Sequence, residues 1–452
     1  MYDVIIVGGG FAGLSAAAYL AEATPPAFRV CLVEARERLG GRVHTVGGID
    51  MGASWVCNTP GNAVRALAAA LLPSNTTETE LFTDDGPLLA RAPVDEAWAA
   101  VEAHVEAARG ACSGADTSLA ALLDAALRAL TLSEPLAAAV RSRAHAHWGT
   151  LMASTLGAVS GAHFDEVGPR DACAEEALVE GGFSGVVRAL AARSGRTEVM
   201  LGAPVARVEW GAPPAGVLLA SGARLAARAV ICTAPLGLLK AACADAGGGR
   251  LAFAPRLPPP VAAAISRLGY GTLNKASLVF ERDPELGAGP FDGRARCFEY
   301  LPSALGAPPA AFPYLLQQSL PDGAVAVTGL CVPAAVGGGP RGVLACNALL
   351  EQLRRMAGGA ELPPVVRFQE ALWDEDEWSL GSYSFMGIGA SPADRSLLCA
   401  PLGGVLWLAG EHTATPVGAG YTHGAIDAGA AAAAAVLRHL QAAPAPPASG
   451  VI

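Results

Sequence analysis

Val4-Ile5-Ile6-Val7-Gly8-Gly9-Gly10-Phe11-Ala12-Gly13-Leu14, near the start of this 452-residue chain, joins a short apolar run to a glycine turn and then to a helical pattern. Phe11, Leu14, Ala18 and Leu20 recur at roughly helical spacing, so the stretch reads as strand, tight turn and helix. Residues 29–33 supply a second strand ending in Glu34, which completes a βαβ unit. Gly8-x-Gly10-x-x-Gly13 lets the backbone approach a pyrophosphate at the positive end of the helix that follows. Glu34, 21 residues beyond Gly13, stands where a carboxylate accepts hydrogen bonds from ribose hydroxyls. NAD and FAD both satisfy this unit.

Outward from it, the chain is long enough for two domains and for burial of a large ligand. It is 52% hydrophobic and 16% charged, with 54 Gly and 33 Pro, as in a compact α/β protein with many tight turns. A formal charge of -10 disfavours nucleic acid as a partner. The ten cysteines include no Cys-x-x-Cys pair, so neither a zinc knuckle nor a redox dithiol is spelled out, and reduced thiols are expected. His145-x-His147 has no acidic or thiol partner close in sequence, and no metal site is predicted. The first strand begins at residue 2 with Asp3 inside it, which leaves no room for a signal or transit peptide. The Ala-rich run 425–437 is too short to span a bilayer and contains Asp427. A cytoplasmic protein without a membrane anchor is therefore expected.

Between the two ends the pattern changes twice. Ala-rich helical stretches such as 94–109 and 119–130 dominate residues 62–176, without strand signals, and read as the helical part of a second domain. A helix at 186–191 and short strands at 198–200, 205–210, 217–219 and 229–232 suit a return to the first domain. Pro255-Arg256-Leu257-Pro258-Pro259-Pro260 marks a linker. After it come a helix, strands near 276–280 and 324–327, and a helix at 344–356, which would build a substrate-side sheet. A strand at 405–409 feeds the last turn and helix. The expected organisation has one cofactor domain in three parts, 1–61, 177–256 and 373–440. Residues 62–176 and 257–372 form the substrate domain, and 441–452 a flexible tail.

Arg38-Leu39-Gly40-Gly41-Arg42 decides between the dinucleotides, because a second glycine turn with flanking guanidiniums brings donors to the phosphates from the other side. With this run go Met51-Gly52-Ala53-Ser54-Trp55, Pro204-Val205, Cys232-Thr233-Ala234-Pro235-Leu236-Gly237 and Gly271-Thr272-Leu273-Asn274-Lys275. Near the C-terminus stand Trp373-Asp374-Glu375-Asp376-Glu377-Trp378-Ser379-Leu380-Gly381-Ser382-Tyr383-Ser384, Leu408-Ala409-Gly410-Glu411-His412-Thr413 and Gly420-Tyr421-Thr422-His423-Gly424-Ala425. In these blocks, over roughly residues 1–60, 180–280 and 370–440, the chain resembles the flavin-containing amine oxidase family.

The resemblance implies an α/β fold in which a Rossmann-like FAD-binding domain is built from discontinuous segments and joined to an α+β substrate domain. FAD would be non-covalent, since Ser382 stands where monoamine oxidases carry the cysteine that bonds the flavin. Cofactor contacts are implied for Gly8, Gly10, Phe11, Ala12, Gly13, Glu34, Ala35, Arg36 and Arg42. They are implied also for Gly52, Ala53, Ser54, Trp55, Val205, Trp373, Trp378, Gly410, Glu411, Tyr421 and Thr422. The adenine end would lie near Glu34 and Val205, and the isoalloxazine near Lys275, Trp373 and Tyr421, with Glu411 on the ribityl or phosphate portion. A helix beginning near Thr422 would aim its dipole at the flavin N1/O2 edge and stabilise the anionic reduced form. Lys275 would hold a water against N5, at the start of an apolar run where an ammonium is costly unless paired. Tyr383 and Tyr421 would flank the substrate nitrogen, aligning the amine and excluding water. A neutral amine held there would pass hydride equivalents to FAD, and O2 would restore the flavin and give H2O2. Because family members oxidise amines without an essential imidazole, the resemblance implies no catalytic role for His412 or His423, and His423 is read as supporting the turn.

Departures from the family limit the substrate expectation. Polyamine oxidases and histone demethylases of the family typically read Trp-x-His-Gly where this chain reads Trp55-Val56-Cys57-Asn58. Aligning Ser160 and Phe164 with the family's Ser-Leu-x-x-Trp segment puts Gly149 where many polyamine-type relatives have a glutamate; Asp165 and Glu166 follow closely. A polyamine-like primary or secondary amine is expected. The alternatives are an L-amino acid oxidase, with Arg267 and Arg294 as candidates for binding the carboxylate, and a chromatin-type flavoprotein acting through partners.

Overall fold

The computed structural model describes every residue except 58–60, 74–78, 88–90, 111–115, 165–175, 245–249, 282–295, 303–309, 360, 415–417 and 443–452. Two large sheets organise it. In the first, Tyr2–Val7 lies between Val30–Val33 and Arg224–Cys232, parallel to both, with Val4 opposite Val30 and Ile5 opposite Val230. Glu198–Met200 extends the parallel set beyond Val30–Val33. On the other side Ala215–Leu219 and Val205–Glu209 run antiparallel, and Ala252–Ala254 closes the edge. Besides Tyr2–Val7, the nine-residue strand Arg224–Cys232 serves two more neighbours: its first half pairs with Ala215–Leu219, and its end with Leu406–Leu408. Three stretches far apart in sequence thus meet in one sheet.

Both faces of this sheet are covered, so its central strands read as continuous apolar runs rather than alternating ones. Val4, Ile6, Leu32 and Ile231 pack under the helices Phe11–Ala23 and Thr422–Ala442, while Ile5, Val7, Val33 and Cys232 point to the opposite core. The two helices touch through backbone: a Cβ on Gly429 would stand 2.0 Å from the Ala12 carbonyl oxygen. Only glycine admits that approach, and it fixes the C-terminal helix beside the N-terminal glycine turn.

The second sheet runs Val365–Ala371, Asn274–Phe280, Val325–Cys331, Tyr314–Ser319, Arg296–Tyr300, Glu80–Thr83 and Gly86–Pro87. It is antiparallel except where Arg296–Tyr300 runs parallel to Glu80–Thr83. Helix Val343–Met356 covers one face through Leu349, Leu353 and Met356, against Leu278, Phe280, Phe298 and Leu315. Period-two alternation turns Lys275, Glu299 and Tyr314 to the other face.

Residues 62–176 are not free of strands. Leu71–Pro73, Glu80–Thr83 and Gly86–Pro87 all fall there beside the helices Ala92–Gly110, Leu119–Ala129 and Glu134–Ala144. These strands are two to four residues long, and Leu71–Pro73 and Glu80–Thr83 are held by distant partners, so no local periodicity announces them. Arg296–Tyr300, Tyr314–Ser319 and Val365–Ala371 likewise add to the two strands expected in the substrate-side sheet. No helix among the described residues is long and apolar enough to cross a membrane.

Candidate active site

A cavity of 660 Å³ is lined from both sheets. At one end it fits a dinucleotide. Helix Phe11–Ala23 starts in the cavity wall; no side chain caps it and no acid sits in its first turn, so its amides and positive end remain for an anion. Gly8, at φ 104°, would carry a Cβ 2.5 Å from Thr233 Oγ1, and a Cβ on Gly13 would sit 1.9 Å from the Gly8 carbonyl oxygen. Gly13 itself does not line the cavity; it sets the closeness of the turn. Glu34 is buried, its Oε2 accepting from Gly9 N at 2.6 Å and its Oε1 from Arg36 N at 2.8 Å, which fixes the carboxylate beside the turn.

The second glycine turn docks on the first. Gly40 N donates to Gly9 O at 2.8 Å, and a Cβ on Gly41 would stand 3.3 Å from Gly10 Cα. Its two arginines do different things. Arg38 spends its guanidinium on carbonyls of its own turn, Gly41 at 3.0 Å and Val43 at 3.2 Å, and does not line the cavity. Arg42 does line it, donating to Ser382 O at 2.7 Å and to Glu411 Oε1 at 2.9 Å. Glu411 also accepts from Ser384 Oγ at 2.6 Å, and Arg395 donates to the same Ser384 Oγ at 2.8 Å. Burial opposes the charge of Glu411, but Arg42 and its other partners outweigh it and hold the carboxyl down to about 2. The acidic run 374–377 is an ionic seam: Asp374 and Glu375 meet Arg341, Asp376 meets Arg36, and Glu377 meets Arg250.

Lys275 lines the cavity from the second sheet and reaches the segment 50–55. Its Nζ donates to Asp50 O at 3.0 Å, Gly52 O at 2.6 Å and Ser54 Oγ, and stands 5.4 Å from the centre of the Trp55 ring. Burial pushes it down to about 8, with the Asp50 carboxylate pulling the other way. Trp373 is seated by Asn274 Oδ1, which accepts from its backbone N at 2.8 Å, and by its indole bond to Met51 O at 3.0 Å. Tyr383 donates to Thr150 O at 2.6 Å, and burial raises its phenol well above the usual range. Tyr421 stacks on His423 with ring centroids 5.5 Å apart, just ahead of helix Thr422–Ala442.

Of the residues singled out from the sequence, Lys275, Tyr383 and Tyr421 share this cavity with every implied cofactor contact except Gly13. His412 and His423 are not among its lining residues. His412 is fully buried and neither ring nitrogen finds a partner among the described residues; burial, with Arg42 and Arg395 nearby, pushes it down to about 4 against the pull of Glu411. Ser382 lines the cavity, and no cysteine is among the described lining residues. Arg267 is paired with Asp394 away from the cavity. Arg294, Asp165, Glu166 and Asn58 lie outside the described residues.

The other end is built from residues outside the blocks that carry the resemblance. Trp98, Glu102, Arg143, His147, Glu176, Glu299 and Tyr314 line it. Glu299 is 1% exposed, with Arg143 Nε at 3.1 Å from Oε2 and His147 Nδ1 at 3.3 Å from Oε1. Glu299 between Phe298 and Tyr300 is the one local signal, and a five-residue strand carries too little periodicity to announce itself.

A cavity lined from both sheets, with paired glycine turns at one end and a buried lysine and two tyrosines among its lining, suits a nucleotide-cofactor redox enzyme. The family model "Flavin containing amine oxidoreductase" matches residues 11–437, and the chain belongs to that family. Polyamine oxidase 1 of Oryza sativa subsp. japonica is 29% identical over 88% of this chain and 87% of its own length. Polyamine oxidase 5 of the same organism is 30% identical over 97% and 88%. Lysine-specific histone demethylase 1 homolog 1, also from Oryza sativa subsp. japonica, is 29% identical over 96% of this chain, which spans only 52% of that relative. In fold, a double mutant of putrescine oxidase superposes with a TM-score of 0.74 at 19% identity, covering 96% of this chain and 99% of the other.

Proposed function

We propose that this chain oxidises a primary or secondary amine, polyamine-like in character, to an imine, using non-covalent FAD and passing the electrons to O2 to give H2O2. The observation that carries this reading is the shared cavity, in which two helix N-termini, desolvated Lys275, Tyr383 and Tyr421 line one space. In this reading residues 1–61, 177–256 and 373–440 carry the cofactor, 62–176 with 257–372 carry the substrate, and the protein works in the cytoplasm.

The helix beginning at Phe11 and the turn at Gly8 would hold the pyrophosphate, Glu34 the ribose, and Arg42 with Glu411 the region beyond. When bound, FAD supplies a two-electron acceptor for hydride from the substrate's α-carbon. Tyr383, its hydroxyl committed to Thr150, offers the cavity a ring face, and with Tyr421 it orients the amine and keeps water out. Lys275, shifted toward neutrality, holds or releases a proton at Nζ in the range where a substrate amine becomes its free base. Ser382 in place of a thiol supports non-covalent binding.

The test is a visible spectrum of the purified protein followed by anaerobic addition of polyamines, monoamines and amino acids. Loss of the flavin band with amines and recovery on admitting air are expected. Protein that binds FAD yet is bleached by no amine would overturn the reading.

A further inference from the structure

The chain has two lysines, Lys240 and Lys275, and the second is held by acceptors alone. An ammonium carries three N–H donors, and Lys275 Nζ has three partners for them: Asp50 O, Gly52 O and Ser54 Oγ. The two carbonyls are fixed in place. Met51 stands between them, its N donating to His44 O at 2.8 Å and its O accepting from the Trp373 indole at 3.0 Å. A Cβ on Gly52 would stand 1.9 Å from Arg42 O, so the backbone passes there with no room to shift.

As it stands, this cage fits the ammonium. A neutral amine has two N–H donors and a lone pair, and a lone pair turned to a carbonyl oxygen finds no proton there. Ser54 differs from the other two partners because a hydroxyl both accepts and donates. Its Oγ accepts from Nζ and donates to Asp50 O at 3.1 Å. Ser54 and Lys275 are both buried, so a partner missing from either is costly. The Asp50 carboxylate is the charged group that acts on Nζ, and it is itself held by Thr45 Oγ1 and by Phe183 N at 3.0 Å. On the neighbouring strands Leu330 and Ala371 stand opposite Lys275, and Trp55 presents its ring to Nζ.

We propose that Ser54 is a positioning residue for proton release at Lys275, its hydroxyl turning from acceptor to donor as Nζ passes from ammonium to amine. One N–H bond breaks, its electron pair stays on Nζ as the lone pair, and the proton passes to solvent water through the cavity that Lys275 lines. The two remaining N–H groups stay on Asp50 O and Gly52 O, and the Ser54 O–H leaves Asp50 O for the lone pair. The inference deepens the amine-oxidising reading, on which its consequence for turnover rests; the titration of Lys275 itself is independent of that reading. Without the hydroxyl the ammonium loses a charge-assisted bond and the amine only a neutral one, so Ser54→Ala lowers the proton affinity of Nζ about 10-fold.

With only two lysines, holoenzyme labelled with lysine carrying carbon-13 at Cε gives two side-chain NMR signals, and Lys275→Met assigns the one that remains to Lys240. The midpoint of the Lys275 titration should fall by about one pH unit in Ser54→Ala and keep its wild-type value in Ser54→Thr, which retains the hydroxyl. Ser54→Cys, a weaker donor and acceptor, should move it the same way by less, and serves if Ser54→Ala does not fold. The pH profile of anaerobic flavin reduction by an amine should move with the midpoint. In the Lys275→Met background Ser54→Ala should change the reduction rate less than about 2-fold. A Lys275 midpoint unmoved by the loss of the hydroxyl, or an equal loss of rate with and without Lys275, would overturn the proposal. Failure of every amine to reduce the flavin would instead remove the amine-oxidising reading, and the titration alone would then decide the role of Ser54.

Discussion

The two ends of the cavity are built by different chemistry. At the cofactor end the working groups are backbone: glycine turns in contact, helix N-termini, and side chains such as Glu34 that brace amides. At the end assigned to substrate in the proposed reading they are side chains brought together from separate strands and helices, Lys275, Tyr314, Glu299 and His147 among them. A backbone cradle depends on residues adjacent in sequence and tolerates almost no change of shape. A side-chain wall depends on strand register and can change its charge pattern one residue at a time.

That contrast can be broken most severely at Gly13. Gly13→Val would drive a Cβ into the Gly8 carbonyl oxygen, now 1.9 Å from that position, and the turn cannot open without leaving the sheet. Loss of bound flavin absorbance is expected, with destabilisation of about 4 kcal/mol or more by thermal melting. A yellow, normally stable Gly13→Val protein would mean that the cradle is not the rigid end.

Lys275→Met separates the ends from the other side. It removes a buried cation of similar length, so colour and folding should survive while flavin reduction or reoxidation slows about 10²- to 10⁴-fold in stopped flow. Normal turnover by this variant would remove Lys275 from the chemistry.

Next in size is a pH effect from behind the cradle. His412 has a folded pKa near 4 against an ordinary 6.5, so the unfolded chain takes up its proton first as the pH falls. Stability should be intact above pH 6.5 and fall by up to about 3 kcal/mol by pH 4. His412→Leu should flatten this part of a melting profile; an unchanged acid slope would show that the ring is protonated in the fold.

The smallest effect is expected at Tyr383→Phe. It deletes one hydrogen bond to Thr150 O but keeps the ring, at a cost of about 1 kcal/mol and less than about 10-fold in kcat/KM. A larger loss would show that the hydroxyl, and not the ring, acts on substrate.

The same contrast governs what could be read without coordinates. Gly8, Gly10, Glu34, Arg42, Glu411 and Tyr421 belong to local blocks whose spacing already states their geometry, and all six line the cavity. Glu299 and Tyr314 sit in short strands flanked by residues 282–295 and 303–309, where no period-two pattern stood out. Glu80–Thr83 was hidden among helical stretches because its partner, Arg296–Tyr300, lies more than two hundred residues away. Arg38 shows the opposite failure: its place beside the glycines suggested a phosphate ligand, but its own turn offered three carbonyls closer to hand.

By itself, then, the sequence determined the glycine turns, the helices that start at them and the family to which they belong, because those features are short-range and sterically exacting. Only the tertiary structure decided which carboxylates face the cavity, that Arg42 is committed to Glu411, and that Lys275 and Glu299 share a row. The physical reason is that strand register and buried ion pairs are settled by partners distant in the chain, and a side chain's meaning there depends on what lies across from it.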